Sequence, residues 1–142
     1  MSDARRVLAD AAPALVLTLP LPPLRLHPNH AMNRGPGRTK LVRQARRDAM
    51  LAAYNDRPVR PFAACEARIT VHLENLRRPM DGDNILAWCK NQIDGLTDAQ
   101  IWVDDAVVQW LPARVAPCAK GEQPHVTVFV WPADAGGTGG QG

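Results

Sequence analysis

An α+β fold, a small mixed β-sheet packed with two main helices, is what this sequence predicts on three observations. Two segments alternate apolar and polar residues with the period of a half-buried strand. In one, Ile69, Val71 and Leu73 alternate with Arg68, Thr70, His72 and Glu74; in the other, Val126, Val128 and Val130 recur. Two further segments repeat apolar residues at helical spacing, Leu41, Ala45, Ala49 and Ala52 in the first and Ile85, Cys89, Ile93 and Leu96 in the second. Strands and helices then mix without a regular βαβ rhythm and without an internal repeat, which argues against a doubly wound sheet.

Taken in order, residues 1–12 are expected as a loose extension, 13–131 as the folded domain and 132–142, PADAGGTGGQG, as a flexible tail. ALVLTL (14–19) reads as the first strand, ended by PLPP, whose prolines cannot continue a ladder. RLHPNHAMNRGPGRTK is a loop by composition, and a loop that long is usually functional or disordered. A helix is expected from Thr39, as N-cap, to Tyr54, with Val42 and Met50 at the edges of its apolar face. NDRPVRP turns the chain into a strand within 63–74, and a second helix follows over 84–96, with Leu86 beside its stripe and Gly95 near its end. Two more strands are expected near 106–115 and 125–131.

A chain of 142 residues suffices for one core without disulfide or metal staples. The composition, 46% hydrophobic and 22% charged, is that of a soluble globular protein. Seventeen Lys and Arg against fourteen Asp and Glu leave only +3, so the distribution of charge says more about partners than its sum. Cys65, Cys89 and Cys118 form no C-x-x-C pair and are expected as buried, reduced thiols of a cytoplasmic protein. The apolar run ALVLTLPLPPL is too short to span a bilayer, and the alanine-rich ADAA precedes it, the wrong order for a signal-peptide cleavage site. No membrane partner is expected.

RRPMDGDNILAWCK (77–90) crowds charge at the start of the second helix. Acids there can act as partners of the helix dipole, with Asn84 competent as a cap. Alternatively, Asp81 and Asp83, separated only by Gly82, project to one side of an extended backbone and suit Mg²⁺, with Mn²⁺ as a substitute. A calcium EF-hand is excluded, because Ile85 and Leu86 stand where that loop needs an oxygen ligand and a glycine. A second pair, Asp104 and Asp105, follows IWV; it is either a solvated turn or, if the helix folds back, a neighbour of the first. Lys90 and Asp94, one helical turn apart, are either a surface ion pair or face the same acids, where a lysine stabilises phosphate charge.

Residues 34–47 hold Arg34, Arg38, Lys40, Arg43, Arg46 and Arg47 with no acid among them. Arg43 and Arg47 share a helix face with Lys40 close by, and Arg46 lies off it, a solvated basic face or a phosphate-binding footprint. His27 and His30 are expected as surface residues, His72 and His125 as structural, and Trp88, Trp102, Trp110 and Trp131 as core or interface residues.

The ordered string RRPMDGDN, then Lys90, IDGL and IWVDD resembles the RusA family of Holliday-junction resolvases. That family's pattern is a basic lead-in, D-x-D-N, a helix carrying a lysine and then D-x-L, and a D-D pair after one or two hydrophobic residues. LTLPLPPLRLHPNH resembles its first strand and following proline loop, so the likeness covers most of 15–131 and concentrates in 77–105. The resemblance implies a homodimeric, Mg²⁺-dependent endonuclease of phage or prophage type, acting in DNA recombination and repair. It would resolve four-way or branched DNA by paired symmetric nicks, leaving 5′-phosphates and 3′-hydroxyls. It implies Asp81, Asp83 and Asp105 as catalytic metal-binding carboxylates, Lys90 as the catalytic lysine, Asp104 and Asp94 as supporting acids, and Arg77 and Arg78 as DNA contacts. Lys90 departs from the family pattern, coming about one helical turn later after the D-x-D pair, an advance of about 5 Å along the axis. A non-catalytic junction-binding module on the same fold and a broader branched-DNA nuclease remain the alternatives.

Overall fold

A computed structural model describes residues 12–75 and 82–133. Five strands, β1 (Leu15–Pro20), β2 (Cys65–Leu73), β3 (Val108–Trp110), β4 (Arg114–Pro117) and β5 (His125–Pro132), form one mixed sheet, and three helices, α1 (Arg38–Tyr54), α2 (Gly82–Trp88) and α3 (Lys90–Asp98), accompany it. The strand order is β1-β5-β2-β3, with β4 also on β2. β5 is antiparallel to both β1 and β2, whereas β3 and β4 run parallel to β2 along successive stretches of its other edge. The α+β prediction holds. Most of the 1–12 extension and of the 132–142 tail lies outside the described residues, while β5 continues through Pro132, one residue past the expected end of the domain.

The alternation read from the sequence sets the inner face. Leu17 and Leu19 of β1, Ala67, Ile69 and Val71 of β2, and Val126, Val128 and Val130 of β5 are all buried, as are Ala45, Ala49 and Ala53 of α1. Each buried Leu, Ile or Val side chain contributes roughly 1.5–3 kcal/mol of transfer free energy. Ala53, not the expected Ala52, completes the α1 stripe, because positions 45, 49 and 53 recur at i+4 and Ala52 falls on the exposed side. The helix also begins earlier than Thr39. Gly37, at φ 81°, occupies the N-cap position without a side-chain bond.

Two other expectations change. The single helix over 84–96 is two, because Cys89 sits at φ −90°, ψ 4°, outside helical geometry. Its stripe survives the break: Ile85, Cys89, Ile93 and Leu96 are all buried. The strand expected over 106–115 is the two short strands β3 and β4, interrupted by Leu111-Pro112-Ala113, since Pro112 has no N–H for a ladder.

Side-chain bonds tie the connections to this frame. Trp88 Nε1 donates to the Pro23 carbonyl (2.9 Å), and buried Gln92 donates to that of Pro20 (2.6 Å), which holds the proline segment on α2 and α3. The following loop is ordered by its own bonds: Asn33 donates to the carbonyls of Arg25 and His27, and the His27 and His30 Nδ1 atoms accept backbone N–H groups. Trp88, Trp102 and Trp131 are buried and Trp110 partly so, in keeping with the core role expected of them. No helix of the described residues is long and apolar enough to cross a membrane.

Candidate functional site

The β2-to-β3 crossover builds the acidic surface. Parallel pairing requires the chain leaving β2 to return to the end where β2 begins, and α2 and α3 make that return. Gln100, at φ 66°, turns the chain after α3. Buried Trp102 then bridges Phe62, and its Nε1 donates to Thr97 Oγ1 (2.7 Å). The backbone that presents Asp104 and Asp105 is therefore anchored two residues ahead of them. Asp104 accepts a bond from Ala106 N (3.1 Å) and caps a 3₁₀ turn, Asp105–Val107, that leads into β3.

The helices bring their charges to the same place. Lys90 and Asp94, one turn apart on α3, share a face of that helix, and Asp83 lies in the first turn of α2. Both Asp94 and Lys90 act on Asp105 through their charges, so motif pieces up to fifteen positions apart share one neighbourhood. The carboxyl groups of Asp104 and Asp105 share a hydrogen bond, which pushes Asp105 up; partial desolvation and the charges of Asp104 and Asp94 add to this, and Lys90 opposes it. Asp104 is held low, first by the Ala106 N–H and then by Asp105. The pair titrates as a unit.

Such a donor set fits a hard dication. Asp83, Asp104 and Asp105 are exposed carboxylates, and Asp105 is crowded by negative charge that a cation would relieve. Asp81, Arg77 and Arg78 lie outside the described residues. Among the described residues, no trio drawn from Asp83, Asp94, Asp104 and Asp105 brings its oxygens within 4.8 Å of one another. Asp104 and Asp105 meet without a third described carboxylate beside them.

The basic residues divide. Lys40, Arg43 and Arg47 line one shallow groove on α1, together with Gln44, Asp48 and Leu51. Arg34 and Arg38 are exposed on the turn and first helical residue before it. Arg46, also expected among the DNA contacts, is exposed and pairs with Asp98 through two bonds, Nε–Oδ2 at 2.6 Å and Nη2–Oδ1 at 2.9 Å, where α1 packs against α3. The bidentate bond to Arg46 holds the Asp98 carboxyl below the usual carboxylate range. A depressed carboxylate contributes stability that is present above its unfolded pKa, about 3.9, and is lost as pH falls through the folded value. Asp98→Asn should therefore cost up to about 1 kcal/mol at pH 7, the small figure reflecting an exposed pair, and nothing once both states are protonated. Urea unfolding of both proteins across the acid range checks this.

A second cluster is not legible in the sequence. Cys118, Glu122 and His125 bring their ligand atoms within 4.8 Å of one another. Cys65 and Cys89 are buried as expected, and burial pushes their thiols up to about 11 and about 12 respectively, but Cys118 is half-buried. Its spacing from Glu122 and His125 follows no common metal motif, so only the turn that gathers them reveals the group. No protein-family model and no curated protein matches this chain.

Proposed function

We propose that this protein is a Mg²⁺-dependent, structure-selective endonuclease that resolves four-way DNA junctions by paired nicks, as a homodimer of the RusA type. One observation carries the reading. Asp105 feels the charges of both Asp94 and Lys90, which supports grouping these separated pieces of the motif on one acidic surface. Asp81, Asp83 and Asp105 would hold the cation, with Asp104 and Asp94 adding negative charge around it. When bound, Mg²⁺, or Mn²⁺ in its place, supplies Lewis acidity toward a phosphate oxygen and an activated water. Lys90 offsets charge on the phosphate being cut. Water adds across the P–O3′ bond, leaving a 5′-phosphate and a 3′-hydroxyl. Lys40, Arg43 and Arg47 neutralise backbone phosphates and compensate the acids, which alone would repel DNA.

The test incubates a labelled four-way junction, and a linear duplex of the same sequence, with Mg²⁺ or with EDTA. Paired nicks in the junction alone, abolished by EDTA, are expected, with two chains per junction by light scattering. Tight junction binding without cleavage would replace this reading with a non-catalytic module, and equal cutting of linear DNA with a broader nuclease. The binding surface has its own signature. Arg43→Ala and Arg47→Ala should each lower the slope of log K against log salt by about 1, as expected for loss of one phosphate contact. Arg46→Ala should leave the slope nearly unchanged, because Asp98 occupies that guanidinium. Fluorescence anisotropy in a salt series measures all three.

A further inference from the structure

We propose that Cys118, Glu122 and His125, on the connection between β4 and β5, form a binding site for one Zn²⁺-class transition-metal ion, separate from the acidic surface. Their ligand atoms lie within 4.8 Å of one another. Bond lengths of about 2.0–2.3 Å bring tetrahedral ligands to roughly 3.5 Å apart, a closure of about 1 Å that side-chain rotation can supply.

The connection is built to hold the three in place. Cys118 N donates to the Leu73 carbonyl (3.0 Å), continuing the β2–β4 ladder one residue past Pro117 and fixing the cysteine backbone beside the end of β2. Residues Ala119 to Glu122 then form a turn closed by Glu122 N to the Ala119 carbonyl (2.9 Å). Gly121, at φ 82°, occupies its third position, the type II geometry that glycine favours. The Glu122 carboxylate accepts from Ala119 N (3.1 Å), which draws it back across the turn toward Cys118.

His125 is the most constrained of the three. Its Nδ1 lies 2.8 Å from the Gln123 carbonyl, so the proton sits on Nδ1 and Nε2 keeps a lone pair for a ligand. A metal-binding histidine is commonly oriented in this way, its other nitrogen donating to a backbone carbonyl. The ring also stacks on His72, its cross-strand partner, at 4.2 Å between centroids and 12° between planes, and His72 Nε2 is engaged by Thr127 Oγ1 at 2.9 Å. Neither the stack nor the carbonyl bond uses Nε2.

The donor types choose the ion. A thiolate, an imidazole and one carboxylate form a borderline set that favours Zn²⁺ and Co²⁺ over Mg²⁺ or Ca²⁺. Three protein ligands leave a fourth position for water. The acidic surface takes hard cations and lies elsewhere. Asp105 precedes Val108, which pairs with Cys65 at the start of β2, whereas Cys118 follows Pro117, which pairs with Leu73 at its end. Eight residue steps along a strand separate those two ends by roughly 26 Å.

Titration of the untagged, reduced full-length protein with Co²⁺, followed by ultraviolet and visible absorption, tests the site. One equivalent should produce a thiolate-to-cobalt charge-transfer band, bleached by one equivalent of Zn²⁺ and indifferent to millimolar Mg²⁺. Cys118→Ser should abolish the band, and His125→Gln and Glu122→Gln should each weaken Co²⁺ binding by about tenfold or more, with thermal unfolding confirming that each variant folds. Asp105→Asn should leave the band unchanged. Absence of the band, its survival in Cys118→Ser, its competition by Mg²⁺, or unchanged affinity in either His125→Gln or Glu122→Gln would overturn the assignment.

Discussion

Asp105→Asn should lower Mg²⁺-dependent junction cleavage by at least about a thousandfold while junction binding changes by less than about threefold. Asparagine keeps the shape of the side chain but removes a charged oxygen ligand, and a metal that stabilises phosphoryl charge is worth several kcal/mol, each 1.36 kcal/mol being tenfold in rate. The folded protein should not suffer. Asp105 is exposed, and its ionised form is opposed by Asp104 and Asp94, with only Lys90 favouring it. Removing that charge relieves repulsion, so the unfolding temperature of the variant should equal or exceed that of the parent. A residue retained for stability would give the opposite pattern. Single-turnover cleavage, anisotropy and thermal unfolding on the same preparation separate the two; a lower unfolding temperature with cleavage intact would remove Asp105 from the site. Asp104→Asn should be milder, because an amide oxygen can still accept the Ala106 N–H that starts the 3₁₀ turn.

Gly95→Ala should be the most damaging alanine substitution among the described glycines. In an ordinary helix this substitution gains up to about 1 kcal/mol. Here a Cβ on Gly95 would overlap the Arg46 carbonyl oxygen and meet Ala49 Cβ at 3.0 Å. Both are parts of α1 that have no alternative position: Ala49 is fully buried, and Arg46 is tied to Asp98 on α3 itself. Such overpacking costs about 3 kcal/mol, or roughly 10 °C in unfolding temperature for a domain of this size. Forcing α3 away from α1 also moves Lys90 and Asp94 relative to Asp105, so cleavage should fall even below the unfolding transition. Calorimetry checks the first effect and cleavage at low temperature the second. An unchanged unfolding temperature would mean that the two helices separate at no cost.

Much of this architecture is legible from local rules. The alternation of Ile69, Val71 and Leu73 identifies a strand whatever lies beside it, and of these Ile69 and Val71 end up fully buried, with Leu73 partly so. The spacing of Ile85, Cys89, Ile93 and Leu96 likewise identifies a buried helical face, and it does so across a break that spacing cannot detect. The break itself is a matter of a single residue's ψ, and no residue type at Cys89 or Lys90 announces it. Pro112 was the available sign that the segment 106–115 is two strands. The acids were visible as types and spacings; that Asp94 and Lys90 act on Asp105 was not, because it depends on how far α3 folds back along the sheet.

Periodicity and charge in the chain suffice for an α+β domain, a basic first helix, two closely spaced pairs of acids and a core of alternating aliphatic residues. Both act over one to four residues and need no knowledge of the partner. Only the packed structure shows that the exposed Arg46 pairs with Asp98, that Gly95 is a point of backbone contact, and that Cys118, Glu122 and His125 meet. Each is a relation between segments whose separation in space is set by helix-on-helix packing or by a turn's φ, and neither quantity is written in the composition of either segment.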